Sequence, residues 1–297
     1  MPETIKKTGG GAFDPELQGL HFFATGLQWH LRVSGAGHKS YLVAVNHISE
    51  GKKGNDEIEL LLTITDVRVF LDSGIFTLCA DYARKNGLQL EEVFGYQPEQ
   101  VDGYEKLKSR YIDLIRKYGD RLWGYVELDM GGTETKIRVR SELEAIGIRP
   151  IPVFHPMHDS WDYYERLLRE YDRICIGNIV NASPKTRSLV LTECARRKRA
   201  INSNCFIHIL GSSANGLITS LQFESCDSSS WNSRLRFPVL NNVHLDGNIG
   251  GLPSWFLYEQ NGDPGVITKA GLSCAYQHHL FNLGRGAYLA ELIDHSL

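Results

Sequence analysis

The sequence predicts an α/β fold, a (β/α)8 barrel preceded by an N-terminal β extension. Three observations point there. From Leu60 onward, short β-branched or apolar runs alternate with longer amphipathic stretches, the pattern of parallel strands joined by crossover helices. Seven such strands can be placed after residue 65, with room for one more upstream. The length, 297 residues, suits one barrel of roughly 250 residues with an addition. A doubly wound open sheet, made of the same units, is the competing architecture.

The elements follow in order. Gly19 to Val33 and Lys39 to Asn46 read as paired β segments around a Gly35–Gly37 turn, and Ser49 to Glu57 as a polar loop. Residues 1–60 are therefore expected as a β extension packed on a catalytic barrel of residues 61–297. Val67 to Leu71 is a strand, and Phe76 to Asn86 a short helix stopped by Gly87. Gly103 to Tyr118 is a helix, Trp123 to Leu128 a strand, and Thr133 to Ile146 a helix ending at Gly147. Arg149 to Phe154 is a strand, and Ser160 to Tyr171 a helix with a Ser or Asp cap. Arg173 to Ile176 is a strand and Pro184 to Ala200 a basic helix. Cys205 to Leu210 is a strand, Ala214 to Thr219 a short helix, and Leu221 to Cys226 a strand. Val239 to Leu245 reads as a further strand and Gly271 to Ile293 as a closing helix.

Composition narrows the function. Hydrophobic residues make up 42% and charged residues 23%, which excludes a disordered chain and a small disulfide scaffold. The net charge of −3 argues against coating nucleic acid through bulk charge, though not against a local basic strip. No apolar run approaches the ~20 residues of a membrane helix, and the polar start lacks a signal-like apolar region. A cytoplasmic protein is expected. The six cysteines form no C-x-x-C or C-x-C pattern, so reduced, buried thiols are expected rather than a zinc site.

The informative feature is what ends the strands, because barrel active sites lie at the C-terminal strand ends. These ends carry Asp72-Ser73-Gly74, then Glu127 and Asp129 before Gly131-Gly132, then His155, Gly177-Asn178, His208 with Gly211, and Asp227-Ser228-Ser229-Ser230-Trp231. A single strand-end Asp is explained by capping of the next helix. Three converging on one mouth can supply a nucleophile and an acid/base pair, as in retaining glycosyl chemistry.

These residues resemble the tRNA-guanine transglycosylase superfamily. Its Asp-Ser-Gly-Gly-Phe-Gln motif is similar to Asp72-Ser73-Gly74-Ile75-Phe76-Thr77, and its base-reading strand to Val126 to Asp129. Its Ile-Gly-Gly-Leu turn is similar to Ile176-Gly177-Asn178-Ile179, its His-x-Leu-Met-Gly strand to His208-Ile209-Leu210-Gly211, and its nucleophile segment to Phe223 to Asp227. The order is kept over residues 65–231. There are departures: His155 replaces the family's third-strand Gln, Asn178 the second Gly of the turn, and the Cys-x-Cys-x-x-Cys zinc insertion is absent. The chain thus looks more like the zinc-free branch that places 7-deazaguanines in DNA, found in phages and mobile islands.

The resemblance implies an irregular (β/α)8 TIM barrel and exchange of guanine for a preQ0-like 7-deazaguanine base in DNA or tRNA, with no cofactor and no metal. Asp227 would be the nucleophile on C1′ and Asp72 the general acid/base. Asp129 would accept from the base's N–H groups, with Ser73, Gly74, His155, Gly177, Asn178 and Gly211 as further base contacts. Tyr96, Tyr104, Trp231 and Trp255 are candidate stacking partners for a base out of its stack. Arg234 and Arg236, with Arg196 and Arg197, are candidate phosphate contacts; a charged helix run at 196–199 also suits a solvated face. A homodimer is a further partner the reading admits. Two alternatives are a metal-dependent barrel hydrolase using His155, His158, Asp72 and Asp227, and a non-catalytic nucleic-acid-binding subunit, which should lack one of the two catalytic carboxylates.

Overall fold

A computed structural model describes residues 5–15, 21–25, 39–48, 50–212 and 216–228. The strand expected over 239–245 and the helix over 271–293 lie outside them.

Eight strands are described: β1 (His21–Thr25), β2 (Ser40–Ala44), β3 (Arg68–Asp72), β4 (Gly124–Tyr125), β5 (Val153–Phe154), β6 (Arg173–Ile176), β7 (Phe206–Ile209) and β8 (Ser225–Ser228). They form one sheet in the order β4-β3-β2-β1-β8-β7-β6-β5, and every pairing is parallel. The edge strands β4 and β5 meet through a single parallel bridge, Val126 to Ile151. Ile151 N donates to Tyr125 O at 2.8 Å and Glu127 N to Ile151 O at 3.0 Å. The architecture is an irregular (β/α)8 barrel with its weak seam between β4 and β5.

This arrangement corrects the expected β extension. β1 and β2 are not a hairpin packed outside. They pair in parallel with each other, β1 also with β8 and β2 also with β3. The first 60 residues therefore supply two of the eight described strands. A two-segment β pattern beside a glycine turn does not specify strand direction.

The helices are α1 (Lys52–Leu62), α2 (Ile75–Asn86), α3 (Leu90–Phe94), α4 (Tyr104–Tyr118), α5 (Gly132–Ala145), α6 (Trp161–Glu170), α7 (Pro184–Ile201) and α8 (Gly216–Ser220). α1 replaces most of the polar loop expected at 49–57. Its first turn is Lys, Gly and Asn, poor in apolar residues, but Ile58 and Leu61 one turn later are fully buried and anchor it. Ser160 caps α6 by accepting from Tyr163 N at 3.2 Å, as expected. Ser183 does the same for α7 from Thr186 N at 3.1 Å.

Strand alternation divides the apolar residues into two sets. Tyr41, Val43, Val69, Leu71, Ile174, Ile176, Ile207 and Ile209 face the helices. Phe23, Leu42, Phe70, Val126, Val153, Cys175 and Phe206 fill the lumen with Trp123. The segment 5–15 crosses the bottom of the barrel. Lys6 bridges to Tyr171, Gly9 N donates to Arg149 O and Ala12 N to Leu122 O. Phe13 enters the lumen cluster and lies 4.0 Å under the Arg173 guanidinium. Burial pushes Arg173 down to about 10. Its donors are satisfied by Thr8 Oγ1 at 2.6 Å and Trp123 O at 2.7 Å. Among the described residues this segment plugs the lumen below, opposite the mouth formed by the C-terminal strand ends.

Candidate functional site

The strand ends deliver the expected residues to one cavity. Three inward apolar residues give way to polar or small ones two positions further on, Phe70 to Asp72, Val153 to His155 and Cys175 to Gly177, and on β8 the inward Ser225 is followed by Asp227. The cavity they floor has a volume of about 390 Å³, lined by Asp72, Ser73, Asp129, His155, Gly177, Asn178, Gly211 and Asp227. That size falls in the range of small-molecule sites. Of the expected site residues within the described set, Gly74, Arg196 and Arg197 do not line it.

Asp129 and Asp227 act on Asp72. Asp72 is raised to about 7, by burial first and then by the negative charges of Asp129 and Asp227. It is therefore a carboxyl near half-protonation at neutral pH, placed in a cavity with two other acids. Capping accounts for little of this. Asp72 Oδ2 does accept from Gly74 N at 3.2 Å. The helix after Asp129 has Gly131 as its N-cap, with no side-chain cap bond. Asp227 accepts instead from Gly211 N, across the mouth on the neighbouring loop, at 2.9 Å.

Local geometry holds each group. Gly74 has φ 81°, and a side chain there would meet Asn46 Oδ1 at 1.9 Å. Asn46 Nδ2 donates to Gly74 O at 3.0 Å and pins the turn that carries Asp72. Asp129 Oδ2 is 2.9 Å from His155 Nε2, and Ser73 Oγ is 3.5 Å from Asp129 Oδ1. A Cβ on Gly177 would come within 3.2 Å of the His155 ring, so a glycine lets the imidazole lie against the β6 end. Below, Asp159 accepts from His155 N at 2.7 Å, Lys136 Nζ at 2.5 Å and Thr133 Oγ1 at 2.7 Å. Burial opposes its charge, but the Lys136 ammonium and these donors hold its carboxyl below the ordinary value.

Other candidates fall elsewhere. Glu127 points out of the barrel, where it pairs with Arg140 at 2.6 Å and accepts from Val153 N at 2.6 Å. It joins β4, β5 and α5 rather than serving the cavity. Arg196 and Arg197 sit near the C-terminal end of α7, which leads into the start of β7, at the end of the barrel opposite the mouth. Both bond Glu193 at 2.7 Å, and Arg197 also bonds Glu165 at 2.6 Å. They form a surface ion-pair cluster. Arg234 and Arg236 lie outside the described residues, as do Trp231 and Trp255. Tyr104 is buried in the shell core, and Tyr96 donates to Glu92 at 2.6 Å away from the cavity.

Two features of the site were not assigned from sequence. Phe76, 55% exposed, lines the mouth, a surface placement that suits stacking; Phe94 lies beside it with ring centroids 6.1 Å apart. Its position four residues after Asp72, in the first turn of the next helix, was the available signal. His208, read only as a strand-end residue, bonds Asp227 at 3.1 Å. His158 does not line the cavity. Among the described residues no group of three His, Cys, Asp or Glu is placed to hold a metal ion. Five cysteines, Cys79, Cys175, Cys194, Cys205 and Cys226, are buried free thiols. No helix among the described residues is long and apolar enough to cross a membrane.

No protein-family model matches this chain, and no curated protein sequence matches it. Solved structures similar to it include tryptophan synthase subunit alpha from Campylobacter jejuni, at 12% identity and TM-score 0.39, covering 71% of this chain and 87% of that one. A putative lyase/mutase from Burkholderia cenocepacia J2315 is 12% identical with TM-score 0.39, covering 85% and 93%. A 2,3-dimethylmalate lyase of the PEP mutase/isocitrate lyase superfamily is 9% identical with TM-score 0.42, covering 95% and 96%. At these scores the likenesses carry no argument, and the fold rests on the strand order itself.

Proposed function

We propose that this protein is a base-exchange glycosyltransferase that replaces guanine in a nucleic acid, DNA in preference to tRNA, with a 7-deazaguanine base. The observation that carries the reading is the convergence of Asp72, Asp129 and Asp227 on one cavity, with Asp72 raised to about 7.

The chemistry needs this division of labour. Asp227 bonds the sugar C1′ as the glycosidic bond to guanine breaks, and the bond's electron pair leaves with the base. Asp72, protonated, delivers a proton to the departing base. The incoming base then loses its N–H proton to Asp72, and its nitrogen displaces Asp227 from C1′. Two displacements retain configuration, and a base takes the place of water as acceptor. A carboxyl with a value near neutrality can give the proton in the first half and take one in the second.

The other residues are suited to recognising the base. Asp129 is an acceptor for ring and amino N–H groups, and His155 Nε2 donates to its Oδ2 and holds it in place. Phe76 offers an exposed face on which an unstacked base can lie. No lysine or arginine is among the described cavity-lining residues; Arg234 and Arg236, which follow Asp227 in the sequence, are the proposed phosphate contacts. The metal-hydrolase alternative would need His158 in the cavity, and the non-catalytic alternative would lack Asp72 or Asp227. Neither description fits the cavity lining.

The test is exchange of labelled guanine into duplex DNA and into tRNA, assayed in parallel, with mass spectrometry of the nucleosides after addition of candidate deazaguanines. Incorporation into DNA supports the reading. Incorporation into tRNA alone reverses the substrate preference, and none into either removes base exchange.

A further inference from the structure

The carboxylate of Asp227 is not held symmetrically. Its Oδ1 receives Gly211 N at 2.9 Å and lies 3.1 Å from His208 Nε2. No bond to its Oδ2 is made among the described residues. His208 lies on β7, in register with Ser225 on β8, and its Nδ1 is 2.8 Å from Ser225 Oγ. A carboxylate only accepts, so Nε2 carries the hydrogen, and in the neutral ring Nδ1 accepts from the Ser225 hydroxyl. Ring contacts fix the imidazole plane: Phe70 at 4.8 Å and 76°, Phe23 at 5.6 Å and 82°. His208 and Ser225 are almost wholly inaccessible.

Serine, histidine and aspartate in a hydrogen-bonded row also describe a hydrolase triad. Here the order of access is reversed. Ser225 is sealed beneath the ring at 0% exposure, and Asp227 is the member that lines the cavity. The row therefore prepares a carboxylate rather than a hydroxyl.

We propose that His208 is a positioning residue for Asp227: with Gly211 N it ties down Oδ1, so that Oδ2 is the oxygen that bonds C1′. The inference rests on the base-exchange reading above. In the first displacement the Oδ2–C1′ bond forms while the C1′–N bond breaks, its electron pair leaving with the base, which takes the Asp72 proton. Oδ1 becomes the carbonyl oxygen of the ester and keeps its two donors. In the second displacement the Oδ2–C1′ bond returns its electrons to Oδ2, and the Asp72 proton is restored by the incoming base. Because both donors address the oxygen that does not react, they fix the rotation of the carboxylate without competing for its attacking lone pair.

The test uses the full chain and two variants. His208→Phe keeps a ring between Phe23 and Phe70 but removes the donor. His208→Gln keeps an N–H donor. Covalent protein–nucleic acid adduct, formed without an incoming base, is followed in single turnovers on a denaturing gel. His208→Phe should slow adduct formation by about 100-fold, the scale for losing one preorganised donor, with KM for the nucleic acid within about threefold. His208→Gln should recover at least about tenfold of that loss. Imidazole 15N spectra of the wild-type protein, read independently of turnover, should place the His208 proton on Nε2, with the signal shifting in Asp227→Ala. Full adduct rate in His208→Phe, equal losses in both variants, or a proton on Nδ1 alone overturns the role while wild-type exchange leaves the function standing. A wild-type protein that forms no adduct and exchanges no base removes both.

Discussion

His155 Nε2 lies 2.9 Å from Asp129 Oδ2, inside a cavity that both residues line. The imidazole gives its Nε2 hydrogen to the carboxylate and holds it in place, so what the pair offers a ligand is the remaining acceptor capacity of Asp129. It also places a negative charge near Asp72, whose carboxyl is raised by burial first and then by this charge. Under the proposed function, Asp129 thereby couples recognition of the base to the proton affinity of Asp72.

That coupling gives the first prediction. Asp129→Asn should raise KM for the incoming base by roughly 10- to 100-fold, the scale of a lost charge-assisted hydrogen bond. It should also move the Asp72 titration to lower pH, because one of the charges that raises it is gone. Steady-state kinetics across pH 5 to 9 reads both effects. A shift of KM with an unmoved pH profile contradicts the coupling.

A second prediction concerns stability. Asp72 is raised from an ordinary 3.8 to about 7 in the fold. Between those values the folded chain keeps a proton that the unfolded chain has lost. Asp72 thus contributes stability at acid pH that is lost as pH rises through about 7. Asp72→Asn, neutral at every pH, should raise Tm by roughly 2–6 °C at pH 8.5 and much less at pH 5. Calorimetry at the two values checks it, and an equal shift at both contradicts the assigned cause.

A third prediction tests the turn that holds Asp72. Gly74→Ala puts a methyl within 1.9 Å of Asn46 Oδ1 on a backbone with φ 81°. Loss of roughly 1–3 kcal/mol is expected from strain and the displaced Asn46 bond, together with a fall in kcat. Asn46→Ala should lower kcat in the same direction, measured by denaturant unfolding and exchange assays.

A fourth concerns the buried pair that braces the β4–β5 seam. Arg140→Met leaves the Glu127 carboxyl, already raised by burial despite its partners, without its bonded guanidinium and with only the more distant Lys136 charge. A loss of about 3–5 kcal/mol is expected. The double variant Glu127→Gln with Arg140→Met should restore part of it, and urea unfolding reads the difference.

The basic run at the far end of α7 gives a fifth. Arg196→Ala with Arg197→Ala should leave the salt dependence of nucleic-acid binding unchanged, because both guanidinium groups are spent on Glu193 and Glu165. Fluorescence anisotropy against ionic strength measures it. A slope reduced by about 2 would restore them as phosphate contacts.

Much of this site was legible before any coordinates. Strand-end Asp72 and His155 stand out because period-2 alternation places a polar residue just beyond the apolar lumen residues Phe70 and Val153, and Asp129, Gly177 and Asp227 stand out only as acidic or glycine positions at strand ends. Strand direction near residues 21–44 was not legible, because parallel and antiparallel segments share the same alternation and differ only in long-range pairing. α1 was masked by a polar first turn whose stability comes from tertiary burial of Ile58 and Leu61. Glu127 looked equivalent to Asp129 in the sequence. It lies one residue from the inward-facing Val126, and that single step of alternation sends it outward to Arg140. His208 was visible as a strand-end residue, but its bond to Asp227 depends on the β7–β8 register, which only the folded sheet defines.

The most direct test of the account is guanine exchange by Asp227→Asn. The wild-type protein should incorporate labelled guanine and form a covalent adduct when no second base is supplied. Asp227→Asn, with an unchanged unfolding transition, should do neither. Exchange retained at more than about one-hundredth of the wild-type rate would contradict Asp227 as the nucleophile.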